Sequence, residues 1–391
     1  MSKSNSSKVR IPALLPVFSL LMFFVGFEMG GFQLALRSIS GEFSVGAVGG
    51  GLLVAAQYVS VILMPLVFGR LSDRAGKRNV ILVFLLVFLS GCVLAALAGG
   101  VLFFAVGVFC IGAGYSVCES AGSAALADAS PEHGARWVNL SQGALSLGAV
   151  TSPLLTPLGT QSFGWSWRAV FWICAAGALA SLLPLLLTRF PATVSATEQA
   201  QKPAQAFFSD TSFSLFFVAI LLYVGLENGI GYFTESLFAL RLNAASFGAY
   251  AISAYWASMA LSRLVFGVLP VKPERALIYC LLFSAALFSV LALLRSPVPA
   301  LVAAALIGFS FGPVWANLMN LAAQRHPGNS GGAMGLMSAG CGLGGAVFPA
   351  LMGLLSGRLN LGAAFALLAV AALISGLVSL LAARRASQIT L

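Results

Sequence analysis

Long apolar runs alternate along the chain with short segments carrying charge, proline or glycine. The runs fall at about 13–36, 46–69, 79–98, 101–127, 137–159, 168–188, 211–236, 246–268, 275–294, 299–323, 332–356 and 362–383. A helix needs roughly 20 residues to cross the hydrocarbon of a bilayer, so the pattern predicts twelve spanning helices. The first run continues past Glu28 to about Leu36 without a convincing small-residue cleavage site, and so reads as a span and not a removed leader. The longest interior loop, Arg189 to Asp210, has PATVSATEQAQKPAQ at its middle, a polar and unpatterned composition typical of a flexible linker. It divides the spans six and six, predicting halves at 1–188 and 211–391 joined by a linker at 189–210.

An internal repeat supports that division. GFEMGG at Gly26–Gly31 resembles GLENGI at Gly225–Ile230, with the glutamates 227 − 28 = 199 apart. LVFG at Leu66–Gly69 recurs at Leu264–Gly267, 198 residues on. Ile111-Gly112 recurs as Ile307-Gly308, and Leu147-Gly148 with Pro153 as Leu343-Gly344 with Pro349, both at 196. Each match is cheap in an apolar chain, but four in one order at nearly one offset indicate two homologous six-helix halves.

Composition removes the soluble alternatives. Of 391 residues, 59% are hydrophobic and 8% charged, against about 25% charged in an ordinary soluble domain. The net charge, 21 − 11 = +10, would suggest nucleic acid in a soluble protein, but basic residues collect in the cytoplasmic loops of membrane proteins. With both termini cytoplasmic, fifteen Lys and Arg fall on that side and five on the other, Arg263 being left out as close to a span end. The expectation is a monomeric multi-pass protein of a bacterial inner membrane, partnered by the lipid bilayer and a small-molecule substrate and not by nucleic acid. The six cysteines lie inside apolar runs without CxxC spacing, and His133 and His326 have no second ligand nearby, so no metal site is expected. No GxxxxGK[ST] loop is present, which argues against ATP-driven transport, and no cofactor or enzymatic site is expected.

The segment Gly69-Arg-Leu-Ser-Asp73-Arg74-Ala-Gly76-Lys77-Arg78 lies between the second and third spans. Gly76 permits a tight reversal, the bases anchor the loop at the cytoplasmic face, and Asp73 can pair with an arginine or cap a helix. This segment closely resembles the signature loop of the major facilitator superfamily, with which span count, half repeat and central linker also agree. The resemblance implies an all-α membrane fold of twelve helices in two pseudo-symmetric halves. It also implies a conformational latch on the cytoplasmic side, with Gly69, Asp73, Arg74, Gly76, Lys77 and Arg136 as its parts and Asn329-Ser330-Gly331-Gly332 as the facing helix end. The second half keeps only the glycine and the basic end, in Gly267-Val-Leu-Pro-Val-Lys272.

Glu28, Glu119 and Glu227 interrupt spans near their middles, and Glu235 lies nearer the outer end of the seventh. Arg37, Arg241 and Arg263 are close to span ends, so no cationic partner is expected for the acids. A carboxyl group buried without a cation favours its neutral form, the property a proton carrier requires. The plainer alternative is a protonated acid that only hydrogen-bonds a neighbouring helix. Glu28 and Glu119 also resemble the acids that fucose–proton symporters and their relatives carry in the first and fourth spans, which implies a role in proton coupling and sugar binding. Ser123 stands where that branch usually has Asn, and Gln142 where His is common.

Polar residues at helical spacing supply candidate binding groups: Asn139, Gln142 and Ser146 on the fifth span, Asn317, Asn320 and Gln324 on the tenth, Gln57-Tyr58 on the second and Asn228 beside Glu227. Trp256 and Trp315 offer faces for a sugar or aromatic ring. Interhelical hydrogen bonding would explain many of these residues singly. The expected function is proton-coupled symport of a small polar solute, a sugar or related metabolite, by alternating access. The rivals are a proton-coupled exporter of drugs or siderophore-like compounds, and import driven by sodium. The fifth span has Thr151-Ser152-Pro153 to Pro157 in place of the Gly-Pro and Gly-Gly pattern frequent in exporters, which argues mildly against export.

Overall fold

The computed structural model describes residues 13–129, 134–188, 190, 204–269, 271–326 and 330–388. Within these, only the backbone is described at 65–67, 69–75, 127–129, 134–136, 204, 267–268, 330–332 and 386–388.

The helices of the first half are α1 (Leu14–Glu42), α2 (Gly46–Ala75), α3 (Lys77–Leu97), α4 (Val101–Ala129), α5 (Gly134–Phe163) and α6 (Arg168–Leu187). A short α7 (Ala204–Phe208) precedes the second half, which has α8 (Thr211–Ser236) with a terminal π-turn (Leu237–Arg241), α9 (Ser246–Val268), α10 (Pro273–Leu293), α11 (Pro297–Phe311), α12 (Val314–Arg325), α13 (Ser330–Arg358) and α14 (Leu361–Gln388). The spans expected from the apolar runs are present, with three differences. The first runs to Glu42 instead of about 36, because a helix of 29 residues is about 44 Å long and projects its polar end beyond the apolar slab. The tenth is broken at Gly312-Pro313, where proline lacks the N–H and crowds the preceding turn. The linker contains the short α7, while 189 and 191–203 lie outside the described residues. Among the described residues ten spans are long and apolar enough to cross a membrane. α5 and α9 are the two spans outside that set, and both bring polar side chains into the bundle.

Packing follows the repeat. In the first half α1 packs on α5, α2 on α4 and α3 on α6; in the second, α8 packs on α13, α9 on α11 and α10 on α14. The repeated glycines sit at these crossings. A Cβ on Gly112 would strike the Gln57 carbonyl, and one on Gly308 would strike the Tyr255 carbonyl. Likewise Gly148 meets the Phe23 carbonyl and Gly344 the Leu221 carbonyl. The repeat at offset 196 therefore records four points where one helix backbone touches another.

The halves meet chiefly along α2 and α13, α5 and α9, and α1 and α8. At the end remote from Gly76, Arg37 of α1 pairs with Glu235 of α8 at 2.7 Å. This corrects the expectation that Glu235 has no cation: two residues that the sequence places near the outer ends of their spans meet across the pseudo-symmetry axis. At the other end, within the second half, Asp210 caps α8 by accepting from the Ser212 N–H at 2.8 Å, and pairs with Arg325 at 2.9 Å. Partial burial works against the charged form of Asp210, but the Arg325 hydrogen bond and the Ser212 amide outweigh it and hold its carboxyl below the usual value.

Candidate functional site

Cβ atoms on Gly26 and Gly30 would collide with the Leu145 and Ala149 carbonyls, so this face of α1 lies directly on α5. Glu28, half a turn round the helix, sits on the opposite face, toward Gln57 of α2. Glu28 is fully buried. The Gln57 Nε2 group donates to both of its oxygens at 3.2 Å, and Gln57 Oε1 accepts from the Tyr232 hydroxyl of the opposite half, also at 3.2 Å. Beside this chain the Tyr58 hydroxyl donates to Asn228 Oδ1 at 2.5 Å, and Trp256 Nε1 donates to Gln33 Oε1 at 2.9 Å.

These two cross-half bonds are related by the repeat. Tyr58 and Trp256 are 198 residues apart, as are Gln57 and Tyr255, while Gln33 and Tyr232 are 199 apart, as are Glu28 and Glu227. Each half thus presents an acid on its first helix, and an aromatic on its second helix that reaches the first helix of the other half.

Glu119 and Glu227 form a second centre, both half-buried. Gln142 Nε2 donates to Glu119 Oε1 at 2.8 Å. One turn further along α5, the Ser146 hydroxyl donates to the Gln142 carbonyl at 3.1 Å and accepts from Arg263 Nη1 of α9 at 3.1 Å. Glu227 has the Tyr223 hydroxyl as a side-chain partner one turn away, for which the Phe311 carbonyl at 3.3 Å competes. The Arg263 charge acts on both Glu119 and Glu227, and those two acids act on each other. The expectation that no basic residue serves the mid-span acids is therefore corrected. Arg263 is five residues from the end of α9, about 8 Å along its axis, and its long side chain extends inward from there. Tyr58, a neighbour of Glu28 and Glu227, and Tyr115, a neighbour of Glu28 and Glu119, lie between the two centres.

The remaining candidates divide. Gln57, Tyr58, Gln142 and Asn228 converge on the two centres, and Trp256 joins Gln33 of the other half. Trp315, 37% exposed, borders the second through Cys341, which interacts with it and with both Glu119 and Glu227. Asn139 is exposed near the start of α5. Asn317 donates to the Pro273 carbonyl at 3.4 Å, and Asn320 is exposed and accepts from Gln324 at 3.3 Å, so these two serve α12 and its neighbour α10 and are not brought to the acids. In the signature loop Gly76 adopts φ +85°, a conformation that favours glycine, and Lys77 opens α3. The side chains of Asp73, Arg74 and Arg136, like the environment of Gly69, lie outside the described residues, as do Asn329 and the side chains of the facing segment 330–332, whose backbone opens α13.

Four functional candidates escaped the sequence pattern: Gln33, Tyr232, Tyr255 and Arg263. The repeat itself carried a signal for the last, since Arg263 stands before LVFG where the first half has Pro65.

Comparison with known proteins agrees with this architecture. No curated protein sequence matches the chain significantly. Among solved structures it is similar to a mutant form of the nucleoside transporter NupG, at 14% identity and TM-score 0.77 over 94% of this chain and 99% of that one. It is similar to a bacterial homolog of the human lysosomal transporter Spinster in an inward-facing and occupied conformation, at 15% identity and TM-score 0.75, with coverage of 95% and 96%. It is also similar to a mutant form of the E. coli fucose:proton symporter FucP, at 19% identity and TM-score 0.67, with coverage of 95% and 99%. At such identities these likenesses concern the fold alone. The sequence profile of the Major Facilitator Superfamily matches residues 18–332 and 206–389. With twelve spans in two repeated halves among the described residues and that match across nearly the whole chain, the protein belongs to the major facilitator superfamily and is a transporter, not an enzyme.

Proposed function

We propose that the chain is a proton-coupled secondary transporter that carries a small polar solute, a sugar or related metabolite, across a bacterial inner membrane with both termini cytoplasmic. The observation that supports this most directly is the cluster of Glu119, Glu227 and Arg263, which draws its members from both halves. Two ionised acids and one guanidinium leave one net negative charge in a medium that stabilises charge poorly. A single proton neutralises the cluster, so a protonated carrier can close around a dry site, whereas the ionised carrier resists closure. Glu28 is the second acid of the coupling. Through Gln57 it contacts Tyr232 of the opposite half, so a change in its protonation alters a bond that joins the halves.

The solute would lie among Gln57, Tyr58, Gln142, Asn228, Trp256 and Trp315, with Asn139 nearer the exit on the Gly76 side. Gly69, Asp73, Arg74, Gly76, Lys77 and Arg136 would latch the two halves, 1–188 and 211–391, on the cytoplasmic side, with the linker 189–210 allowing them to rock. The test is proton movement in proteoliposomes on addition of sugars and related metabolites. Glu119→Gln should abolish solute-driven proton uptake while solute counterflow persists. Proton-driven accumulation by the variant would overturn the coupling assignment, and dependence on sodium at fixed pH would replace the proton with sodium.

A further inference from the structure

Arg263 is poorly satisfied for an arginine inside a membrane protein. Its side chain donates to the Ser146 hydroxyl at 3.1 Å and, weakly, to the Met259 sulfur at 3.5 Å. Among the described residues no carboxylate lies within ion-pairing distance of it, although Glu119 and Glu227 both feel its charge. A guanidinium offers five N–H donors in a planar fork that matches a carboxylate. Most of that fork is unused.

Two turns along the same face of α9 stands Tyr255. Tyr255 is 2% exposed, and its hydroxyl has no hydrogen-bond partner among the described residues. Such a buried orphan is unfavourable unless a partner fills it. The hydroxyl is an electrostatic neighbour of Arg263 and Glu227 and of Tyr58 across the halves. Tyr255, Met259 and Arg263, at i, i+4 and i+8, thus set an unpartnered donor and an underused cation on one stripe of α9, facing the acid cluster.

We infer that the transported solute carries a carboxylate, which Arg263 binds through its free donors and Tyr255 through its hydroxyl. This inference rests on the transport reading above and narrows its substrate to small organic monoanions. One guanidinium balances one negative charge. A dianion such as phosphate would face Glu119 and Glu227 with no second cation among the described residues near them. The titratable groups facing Arg263 are Glu119 of α4, Glu227 and Tyr223 of α8, and Tyr255 of its own helix. When a carboxylate takes the arginine, Glu119 and Glu227 lose their counter-charge, and protons take its place. The anion therefore enters together with protons.

The test uses the full-length protein in detergent and three probe pairs that differ only in a carboxylate against a primary alcohol: gluconate and glucitol, lactate and propane-1,2-diol, benzoate and benzyl alcohol. Thermal unfolding and tryptophan fluorescence report binding. At least one carboxylate should bind while its alcohol does not. Arg263→Gln should weaken that binding by tenfold or more, about 1.4 kcal/mol or above. Arg263→Lys should retain part of it, and Tyr255→Phe should weaken it severalfold while leaving the unfolding temperature of the empty protein unchanged or raised. Where Arg263→Gln lowers the yield of folded protein, Tyr255→Phe carries the test, since it removes one oxygen and no packing. Equal binding of the alcohols, full affinity in Arg263→Gln or Tyr255→Phe, or silence from every carboxylate would overturn the inference. Carboxylate binding that depends on Arg263 but moves no protons in proteoliposomes would leave this assignment standing and refute the coupling instead.

Discussion

Arg37 of α1 and Glu235 of α8 form an ion pair at 2.7 Å that ties the two halves together at the end of the bundle remote from Gly76. The two residues are 198 apart, close to the period of the internal repeat, so the bond joins nearly equivalent positions of the halves across their axis. The arginine is half in solvent and the carboxylate nearly covered, with side-chain exposures of 41% and 9%.

Loss of this pair should loosen that end. Glu235→Gln removes the charge and keeps an acceptor, and should shift the balance between states of the carrier by about 1 kcal/mol, roughly fivefold in population. Arg37→Ala should cost more, because it leaves a covered carboxylate without its cation. Faster hydrogen–deuterium exchange at the ends of α1 and α8 is the readout, and unchanged exchange in both variants would show that the pair does not hold the halves.

Gln57 should be more sensitive than its neutral side chain suggests. It donates to both oxygens of Glu28 and accepts from Tyr232. Gln57→Leu removes all of these bonds and leaves a buried acid without a donor, at a cost of about 1–3 kcal/mol. The unfolding temperature should fall by several degrees, and transport should slow because the link to the second half is lost. Gln57→Glu would place two acids together and should be rescued in part at low pH.

The glycine crossings allow a controlled comparison. Gly112→Ala and Gly308→Ala each drive a methyl group into a backbone carbonyl, and overpacking of this kind costs about 1–3 kcal/mol. Gly143 in α5 has open space around its Cβ direction, and replacing a helical glycine with alanine there should be neutral or stabilising by up to about 1 kcal/mol. Thermal unfolding of the three variants in one detergent separates close approach from helix propensity. Equal losses at all three would remove the packing explanation of the repeat.

Asp210 supplies a pH dependence outside the spans. Its carboxyl is held below the ordinary value of 3.8 by Arg325 and the Ser212 amide, against the opposing effect of burial. The folded value being the lower one, the stabilisation is complete above the unfolded value and is lost as pH falls through the folded one. Asp210→Asn keeps a capping oxygen but loses the ion pair with Arg325, and should therefore lower the unfolding temperature at neutral pH by the equivalent of up to about 1 kcal/mol. The gap between variant and parent should close as pH drops below about 4. A gap that does not narrow at all as pH falls below about 4 would assign the effect to something other than the ionised carboxylate.

Much of the fold is legible in the chain because the bilayer imposes it. A segment with no water around it must satisfy its own backbone, so an apolar run of sufficient length becomes a helix regardless of its neighbours. Span order, the half repeat and the position of Glu28, Glu119 and Glu227 within their spans follow from that rule. The interruption at Gly312-Pro313 was equally visible as a proline in an apolar run, yet whether proline bends or divides a helix depends on what packs beside it, here Met259 and Ser262 of α9.

The composition and periodicity of the sequence by themselves determined the class, the two halves and the acids, since these depend on local hydropathy and on residue type. Which acid meets which partner was decided only by tertiary structure. Hydropathy reports how far along a span a residue lies, but not toward which neighbour it turns, nor how far a long side chain reaches from a span end. Position along the chain makes Arg263 a span-end residue, yet its charge acts on Glu119 and Glu227. Asn317 and Asn320, at the spacing of a binding face, turn toward α10 and the surface. The rotation of each helix about its axis is set by the glycine contacts between helices, and those contacts join residues that lie dozens to more than a hundred positions apart in the chain.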